Sequence, residues 1–292
     1  MKRNTYLKTI PPAEAVARVK ASIDREALIR EETIPSHEAS GRVLAHAVHA
    51  RYSSPTFHSA AMDGYAVNAR STFAAREGHP LTLKAGETCF AVNTGHPMPE
   101  GCDAVIMIEQ VMLDGGSVTI EAPAFPWQHV RRIGEDIVAT ELLFPRNHQL
   151  RPWDVGALLS GGIWDVPVWE RVTVRIIPTG DEVLDFTTHP DPGKGQVVES
   201  NSQMLAALAR ELGCVVERAA PVPDNPEALH QALKDSLDAG RHLTIFCAGS
   251  SAGSKDFTRA TLEKEGEILT HGIADMPGKP SLLANCRGRL VA

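Results

Sequence analysis

The 292-residue sequence lacks a long basic run and has few aromatic residues. Its 29 lysines and arginines are outnumbered by 36 aspartates and glutamates, which gives a formal net charge of −7. The positive surface typical of a general nucleic-acid-binding protein is therefore missing. Eight phenylalanines, four tryptophans and three tyrosines are also too few and too scattered for a base-stacking surface. We expect no nucleic-acid partner.

A long apolar segment is also missing, because no run approaches the roughly 18 apolar residues of a membrane-spanning helix. The first residues lack the apolar stretch and cleavage site of a secretory signal. Five cysteines, at positions 89, 102, 214, 247 and 286, match neither zinc-ligand spacing nor a disulfide framework. We therefore expect reduced thiols, no membrane partner and a cytoplasmic location.

The chain length suggests at least two compact units, at roughly 150 residues per domain. After a predicted helix over residues 13–23, residues 34–143 consist of short apolar runs interrupted by turn residues. Such punctuation is typical of a β-rich structure. Asp114-Gly115, between residues 104–111 and 117–120, predicts a β-hairpin.

From about residue 171 the pattern predicts alternating strands and helices, which indicates βαβ units and a parallel sheet. The helix over 201–212 has a capping residue at its start and Gly213 at its end. The predicted strands cover residues 172–177, 214–222 and 242–247, and the predicted helices cover 201–212, 226–237 and 255–264.

Acidic side chains follow the three predicted strands. Asp181 and Glu182 follow the first strand, Asp224 follows the second and Asp256 follows the third. In a parallel α/β sheet, ligands bind beyond the carboxyl ends of the strands. A carboxylate beside a phosphate repels it unless a cation lies between them. The set therefore predicts a magnesium ion with oxygen ligands, although each acid alone is more typical of a solvated surface.

A loop rich in glycine and serine follows the third strand. Its backbone N–H groups could face an anion at the start of the next helix, but an ordinary tight turn explains the same composition. Lys279, in the turn Pro277-Gly278-Lys279-Pro280, could contact an anion or be solvated. The residues of the loop that could bind a phosphate are Gly249, Ser250, Ser251, Gly253 and Ser254.

Three polar turns punctuate the β-rich part. They contain Asp63 followed by Gly64, Thr94 followed by Gly95, and Asp136 in the sequence Gly134-Glu135-Asp136-Ile137. By composition alone, each is more typical of a turn-stabilising side chain than of a catalytic group.

Five motifs, spread in order over nearly the whole chain, resemble those of the MoeA family of molybdopterin molybdotransferases, to which the E domain of gephyrin also belongs. The motifs are Ala61-Met62-Asp63-Gly64-Tyr65-Ala66, Asn93-Thr94-Gly95 with Pro99-Glu100-Gly101-Cys102-Asp103-Ala104-Val105, Arg131-Arg132-Ile133-Gly134-Glu135-Asp136-Ile137, Pro178-Thr179-Gly180-Asp181-Glu182, and Pro277-Gly278-Lys279-Pro280.

The resemblance implies an elongated, multidomain fold that is α/β plus β-rich. It predicts an N-terminal helical segment and a discontinuous linker domain of residues 1–50 and 145–171. A β-rich lobe of residues 51–144 and a mostly parallel βαβ domain of the molybdopterin-binding type, residues 172–292, complete the chain. Because family members continue with further elements, we expect the last domain to be incomplete at its C-terminus.

The resemblance further implies insertion of molybdate into adenylylated molybdopterin with release of AMP, in a step that depends on a divalent cation such as Mg²⁺. It implies a homodimer whose site lies between the β-rich lobe of one subunit and the α/β domain of the other. It also implies that a molybdopterin adenylyltransferase acts upstream and supplies the adenylylated substrate. The residues implied as catalytic are Asp63, Thr94, Asp136, Glu182 and Asp256; those implied as metal ligands are Glu182, Asp224 and Asp256; and those implied for the pterin phosphate are Gly249, Ser250, Ser251, Gly253, Ser254 and Lys279.

The sequence departs from the family pattern at three places. Ala248-Gly249-Ser250 stands where many members have Ser-Gly-Gly, Met276 stands where many have a cation, and Gly272 stands where some have lysine. Insertion of tungstate instead of molybdate therefore remains an alternative function. The sequence is also compatible with a non-catalytic molybdopterin-binding scaffold or fragment. A nucleotide-processing relative is disfavoured, because such proteins lack the long β-rich part.

Overall fold

The computed structural model describes residues 8–247, 257–276 and 278–292. The chain forms two compact units, which we name the β unit, Thr33–Val168, and the α/β unit, residues 1–32 and 169–292. The fold class is confirmed, because a β-rich part is followed by an α/β part with a mostly parallel sheet. The finer division into a linker domain, a lobe and a third domain stays a prediction.

The first helix, α1 (Pro12–Ser22), confirms the predicted helix at residues 13–23. Two prolines open it, since proline at the first turn loses no intrahelical hydrogen bond. Arg18 Nη1 fixes the helix to its own unit by donating to Leu269 O over 2.9 Å. A short second helix, α2 (Arg25–Leu28), is capped by the Asp24 carboxylate.

The β unit contains two three-stranded antiparallel sheets, ordered β6-β4-β7 and β5-β9-β8, and three strand pairs, β1-β12, β2-β11 and β3-β10. One apolar cluster joins the two larger sheets and includes Val67, Leu83 and Ile120. A second cluster surrounds α3 and includes Leu44 and Leu158. The elements are β1 (Glu31–Pro35), β2 (Val48–His49), β3 (Ser59–Ala60), β4 (Gly64–Val67), β5 (Leu81–Lys84), β6 (Cys89–Val92), β7 (Ala104–Met107), β8 (Val111–Asp114), β9 (Ser117–Ile120), β10 (Val130–Arg131), β11 (Leu142–Phe144), α3 (Pro152–Ser160) and β12 (Asp165–Trp169).

The predicted hairpin at Asp114-Gly115 is present, but its first strand differs from the prediction. The strand that pairs across the turn is β8, Val111–Asp114, with Asp114 opposite Ser117. Residues 104–107 form β7, which pairs with β4 in the other sheet. Residues 104–111 therefore divide at the short 3-10 helix Ile108–Gln110, which lies between the two strands.

The α/β unit contains a six-stranded sheet in the order β16-β13-β17-β20-β19-β18. The first four strands are parallel, and β19 and β18 are antiparallel additions. The elements are β13 (Thr173–Pro178), β14 (Val183–Leu184), β15 (Val197–Val198), α4 (Asn201–Glu211), β16 (Val215–Arg218), α5 (Pro226–Asp238), β17 (Leu243–Cys247), α6 (Phe257–Glu265), β18 (Gly266–His271), β19 (Leu282–Cys286) and β20 (Arg289–Val291).

Helices cover both faces of this sheet because consecutive residues of a strand point to opposite sides. On β13, Ile176 packs in a cluster with Ala206 of α4. Its neighbour Ile177 packs in another cluster with Leu233 of α5 and Leu262 of α6. Buried apolar residues on both sides explain the near-continuous apolar strand that the sequence shows.

Two details of the predicted α/β pattern need correction. The strand predicted over residues 214–222 is continuous only over Val215–Arg218, because Pro221 lacks the N–H that would continue the ladder. The pairing resumes at one isolated bridge between Thr179 and Val222. Helix α4 precedes Gly213 as predicted, but Ser200 at its start makes no side-chain cap. The carboxylate of Glu199 takes that role and accepts from Ser202 N over 2.7 Å.

Within the described ranges, no helix has both the length and the apolar character needed to cross a lipid bilayer.

Candidate active site

The Asp63 carboxylate is held by the backbone and side chain of one residue. Asp63 Oδ1 accepts from Thr94 N over 2.7 Å and from Thr94 Oγ1 over 3.0 Å. The backbone hydrogen bond and then the hydroxyl hydrogen bond lower the pKa of Asp63 below its ordinary value of 3.8, because both favour the charged form. Two predicted site residues of the β unit therefore form one exposed, ionised acceptor.

Strand pairing places these two residues together. Gly64 lies opposite Val92 in the antiparallel pair β4-β6, so Asp63 stands beside the turn that contains Thr94. Gly64 has φ +157°, and a Cβ there would lie 2.0 Å from Ile106 O on the neighbouring strand. Only glycine permits this close approach at the start of β4, directly after Asp63.

Asp136, five residues after Arg131, is held by an ion pair with that arginine. Arg131 Nη2 donates to both of its carboxylate oxygens, over 2.9 and 2.7 Å. Both side chains are about half exposed, so the pair is a surface ion pair of modest energetic value. The structure thus gives Asp136 an arginine partner and joins Asp63 to Thr94.

In the α/β unit, the ends of β13 and β16 meet as predicted. Asp181 Oδ1 accepts from Asp224 N over 3.2 Å. Upstream, Gly180 N donates to Val222 O over 3.2 Å, and Gly180 has φ +134°. We call Asp181, Glu182 and Asp224 the strand-end rim.

Glu182 folds back over the start of its own loop. A Cβ at Gly180 would lie 3.0 Å from Glu182 Oε2 and 2.8 Å from Val183 Cγ2, so the glycine leaves room for this conformation. The main chain of Glu182 is fixed separately, since its carbonyl accepts from Val197 N over 3.0 Å.

Lys279 is exposed in its turn, and its carbonyl accepts from Ile273 N over 3.0 Å. This main-chain contact fixes the turn while the side chain stays accessible to an anion. The other predicted residues of the loop and helix, namely Gly249, Ser250, Ser251, Gly253, Ser254 and Asp256, lie outside the described residues.

The rim fits magnesium in chemistry but not in ligand number. Carboxylate oxygens of Glu182 and Asp224 are the donors that Mg²⁺ prefers. Among residues 8–247, 257–276 and 278–292, no group of three or more His, Cys, Asp or Glu side chains is arranged to hold a metal. A complete site would therefore need a ligand from Asp256 or oxygens from a substrate.

Sequence reasoning missed a buried set of polar residues behind the rim, which we call the Arg218 network: Arg218, Asp185, Glu199 and Ser202. Arg218 lies in a strand that begins with Val215 and Val216. A single arginine in such a strand does not by itself predict a buried polar contact. Glu199 gave no clear signal either, because glutamate is not among the residues that usually cap a helix start.

The five cysteines are free thiols, as expected. Burial, followed by the nearby Glu199 carboxylate, raises the pKa of Cys247 to about 11. Burial likewise raises the pKa of Cys286 to about 11. Thiols that stay protonated at neutral pH are poor nucleophiles and poor metal ligands.

Two family descriptions together cover most of the chain. Residues 10–162 match the MoeA N-terminal region (domain I and II). Residues 175–290 match a "Probable molybdopterin binding domain". The second match contains the strand-end rim, and the first contains the Asp63–Thr94 pair.

Similar proteins extend over both units. The molybdopterin molybdenumtransferase of Synechococcus elongatus is 31% identical over 270 residues, covering 87% of this chain and 67% of that protein. Molybdopterin molybdenumtransferase 2 of Mycobacterium tuberculosis is 34% identical over 285 residues, covering 89% of this chain and 68% of that protein.

A solved structure gives the same result. The molybdopterin biosynthesis MoeA protein from Pyrococcus horikosii aligns with a TM-score of 0.81 and 28% identity, over 97% of this chain and 74% of that one. The chain thus spans about two thirds to three quarters of the length of these relatives. Matches in sequence and structure across both units show that this chain belongs to the MoeA family.

Proposed function

We propose that this chain inserts molybdate into adenylylated molybdopterin and releases AMP, as a molybdopterin molybdotransferase in molybdenum cofactor biosynthesis. The observation that carries the proposal is the match of both units to relatives named molybdopterin molybdenumtransferase. The carboxylates of the rim support it, because they follow strand ends in the part that matches a molybdopterin-binding domain.

The reaction brings together groups of the same charge. Adenylylated molybdopterin contains a phosphoanhydride, and molybdate is an oxyanion, so their approach to carboxylates needs compensating positive charge. Mg²⁺, held by Glu182, Asp224 and Asp256, would supply that charge and orient the oxygens. Lys279 and the N–H groups of the loop containing Gly249, Ser250, Ser251, Gly253 and Ser254 would bind the pterin phosphate.

Asp63 and Thr94 have a distinct role in this proposal. The two hydrogen bonds from Thr94 keep Asp63 ionised and fix its Oδ1. The second oxygen, Oδ2, can then accept a hydrogen bond from the pterin or from a water molecule. Asp136, paired with Arg131, would contribute through the position of its turn rather than as a free charge.

We further propose a cytoplasmic homodimer that receives its substrate from a molybdopterin adenylyltransferase. The Asp63–Thr94 pair of one subunit would serve the rim of the other, as in the family this chain belongs to. The support from this chain is that the pair and the rim belong to different units, so each could be contributed separately.

The test measures AMP release from adenylylated molybdopterin by the purified 292-residue chain, with and without molybdate and Mg²⁺. We expect release only when both are present. Tungstate in place of molybdate distinguishes a tungstate-inserting variant. Binding of molybdopterin without AMP release under every condition would contradict the proposal and identify a scaffold.

A further inference from the structure

The Arg218 network joins three separate segments of the α/β unit. Arg218 Nη2 contacts Asp185 Oδ1 at 3.2 Å and Glu199 Oε2 at 3.3 Å, and Arg218 Nε donates to Ser202 Oγ over 2.8 Å. Ser202 Oγ donates in turn to Glu199 Oε2 over 2.5 Å. Each of the four residues therefore has a partner within the set.

The network is largely buried. The side chain of Arg218 is 12% exposed and that of Glu199 is 4% exposed. The guanidinium also lies 4.5 Å from the centre of the Phe186 ring. An arginine is suited to this place because its planar fork can meet two acids and a hydroxyl at fixed angles.

The segments that Arg218 joins are those that fix Glu182. Strand β14 follows Glu182 directly and pairs in parallel with β15. Glu182 O accepts from Val197 N over 3.0 Å, and Leu184 O accepts from Glu199 N over 2.9 Å. Asp185 ends the first of these segments and Glu199 ends the second, so one guanidinium closes the strand pair beside Glu182.

The same arginine connects this strand pair to the sheet. Arg218 lies opposite Ile176, near the end of β13. Asp224 follows six residues later and donates its N–H to Asp181. Arg218 thus connects the segment that contains Glu182, just before β14, with the strand β16 that leads to Asp224.

We infer that Arg218 is a positioning residue for the rim: its contacts with Asp185, Glu199 and Ser202 hold Glu182 in place relative to Asp224. This inference rests on the proposed function, because it assigns the rim a role in holding a divalent cation. Without the guanidinium, two carboxylates that contact the same nitrogen would face each other without compensation. Their repulsion and loss of hydrogen bonds would separate β14 from β15.

The experiment compares the wild-type chain with Arg218→Met and Arg218→Lys. The first readout is amide hydrogen exchange at Val197 and Glu199, whose N–H groups bond to Glu182 and Leu184. The second is Mn²⁺ binding, followed by electron paramagnetic resonance without substrate. In Arg218→Met we expect faster exchange at both amides and Mn²⁺ affinity weaker by about tenfold, as for loss of a residue that orients a metal ligand.

Arg218→Lys should give intermediate values, because lysine keeps the charge but loses the fork. Arg218→Lys also allows both readouts to be measured if Arg218→Met does not fold. Arg287→Met is the matched control, since Arg287 also joins two acids, Glu265 over 2.8 Å and Asp238 over 2.9 Å, and precedes β20, at the end of the parallel strands opposite to the rim. We expect this control to leave both readouts unchanged.

Unchanged Mn²⁺ affinity in both Arg218 variants would overturn the inference, even with faster exchange. Absence of Mn²⁺ binding by the wild-type chain would overturn it as well. Wild-type binding of Mn²⁺ without any AMP release would contradict the proposed function alone. In that case, weaker binding by the variants would still establish Arg218 as a positioning residue.

Discussion

The two units hold their acidic site residues in different ways. In the β unit, Thr94 donates two hydrogen bonds to the carboxylate of Asp63 itself. In the α/β unit, the contacts that fix Glu182 and Asp224 run through their main-chain atoms. A carboxylate held by its own oxygen is a fixed acceptor, whereas one held through its backbone keeps its oxygens available for a cation. In the proposed function, this difference would suit a substrate-facing acid in one unit and metal ligands in the other.

The largest effect is expected from removing a charge at the rim. Glu182→Gln keeps the side-chain size but removes a proposed Mg²⁺ ligand, so we expect AMP release to fall by about a hundredfold or more. Asp114→Asn, an exposed acid in the hairpin turn, is the matched control. Full activity of Glu182→Gln would show that the rim does not bear the metal.

Replacing either of two glycines should lower stability, by different amounts. In Gly64→Ala the new Cβ would meet the Ile106 carbonyl oxygen at 2.0 Å, so we expect the free energy of unfolding to fall by about 3 kcal/mol. In Gly180→Ala the new Cβ would meet side-chain atoms of Val183 and Glu182, with a smaller stability loss of about 1 kcal/mol. Denaturant unfolding measures both losses, and AMP release should fall in each variant. Equal stability losses would contradict this assignment.

Asp154 is an acid without a proposed catalytic role whose carboxylate, like that of Asp63, accepts hydrogen bonds directly. Its buried carboxylate accepts from Arg151 Nη2 over 3.0 Å and contacts His148 Nε2 at 2.7 Å. The arginine hydrogen bonds are the main reason that the pKa of Asp154 falls well below its ordinary value. We expect Asp154→Asn to lower the free energy of unfolding by about 2 kcal/mol at neutral pH.

The pH dependence of this effect has a defined sign. Because folding lowers the pKa of Asp154, its stabilisation is full above the unfolded value of about 3.9 and is lost as pH falls toward the folded value. Urea unfolding at pH 7 and pH 3 should therefore show a smaller difference between wild type and Asp154→Asn at the lower pH. A difference that grows on acidification would contradict this interpretation.

The smallest expected effect is in the β unit, at the Thr94 hydroxyl. Thr94→Val removes one of the two hydrogen bonds to Asp63 and keeps the stronger backbone one. The pKa of Asp63 should rise but stay below its ordinary value, as measured by nuclear magnetic resonance titration of the carboxyl group. Thr94→Ser keeps the hydroxyl and should leave the pKa unchanged. A drop in AMP release for Thr94→Val but not Thr94→Ser would link this contact to the reaction.

Much of the α/β unit could be predicted from its sequence because apolar strands and amphipathic helices have distinct periods. The predicted helix over 226–237 agrees closely with α5, Pro226–Asp238. Strand ends were less predictable, since Pro221 interrupts the ladder after Arg218 without changing the apolar pattern. The cap of α4 was missed because Glu199, rather than serine or asparagine at the helix start, supplies the acceptor.

The sequence could predict which residues are polar candidates for the site, but not which side chains contact each other. Asp63 and Thr94 each indicated a polar turn, and only the pairing of β4 with β6 brings them into contact. Arg218 gave no signal in the sequence, because the contacts that define its role come from segments 16 to 33 positions away. Side-chain partners at such separations depend on the tertiary fold rather than on local pattern.

The claim that acids from two units act together is tested most directly by mixing two inactive variants. Asp63→Asn and Glu182→Gln subunits, dissociated and reassociated at equal concentration, would form mixed dimers with one site that contains neither change. We predict recovery of about a quarter of wild-type AMP release, the share expected for random pairing in a two-fold symmetric dimer. No recovery in a sample shown by mass spectrometry to contain mixed dimers would contradict the account.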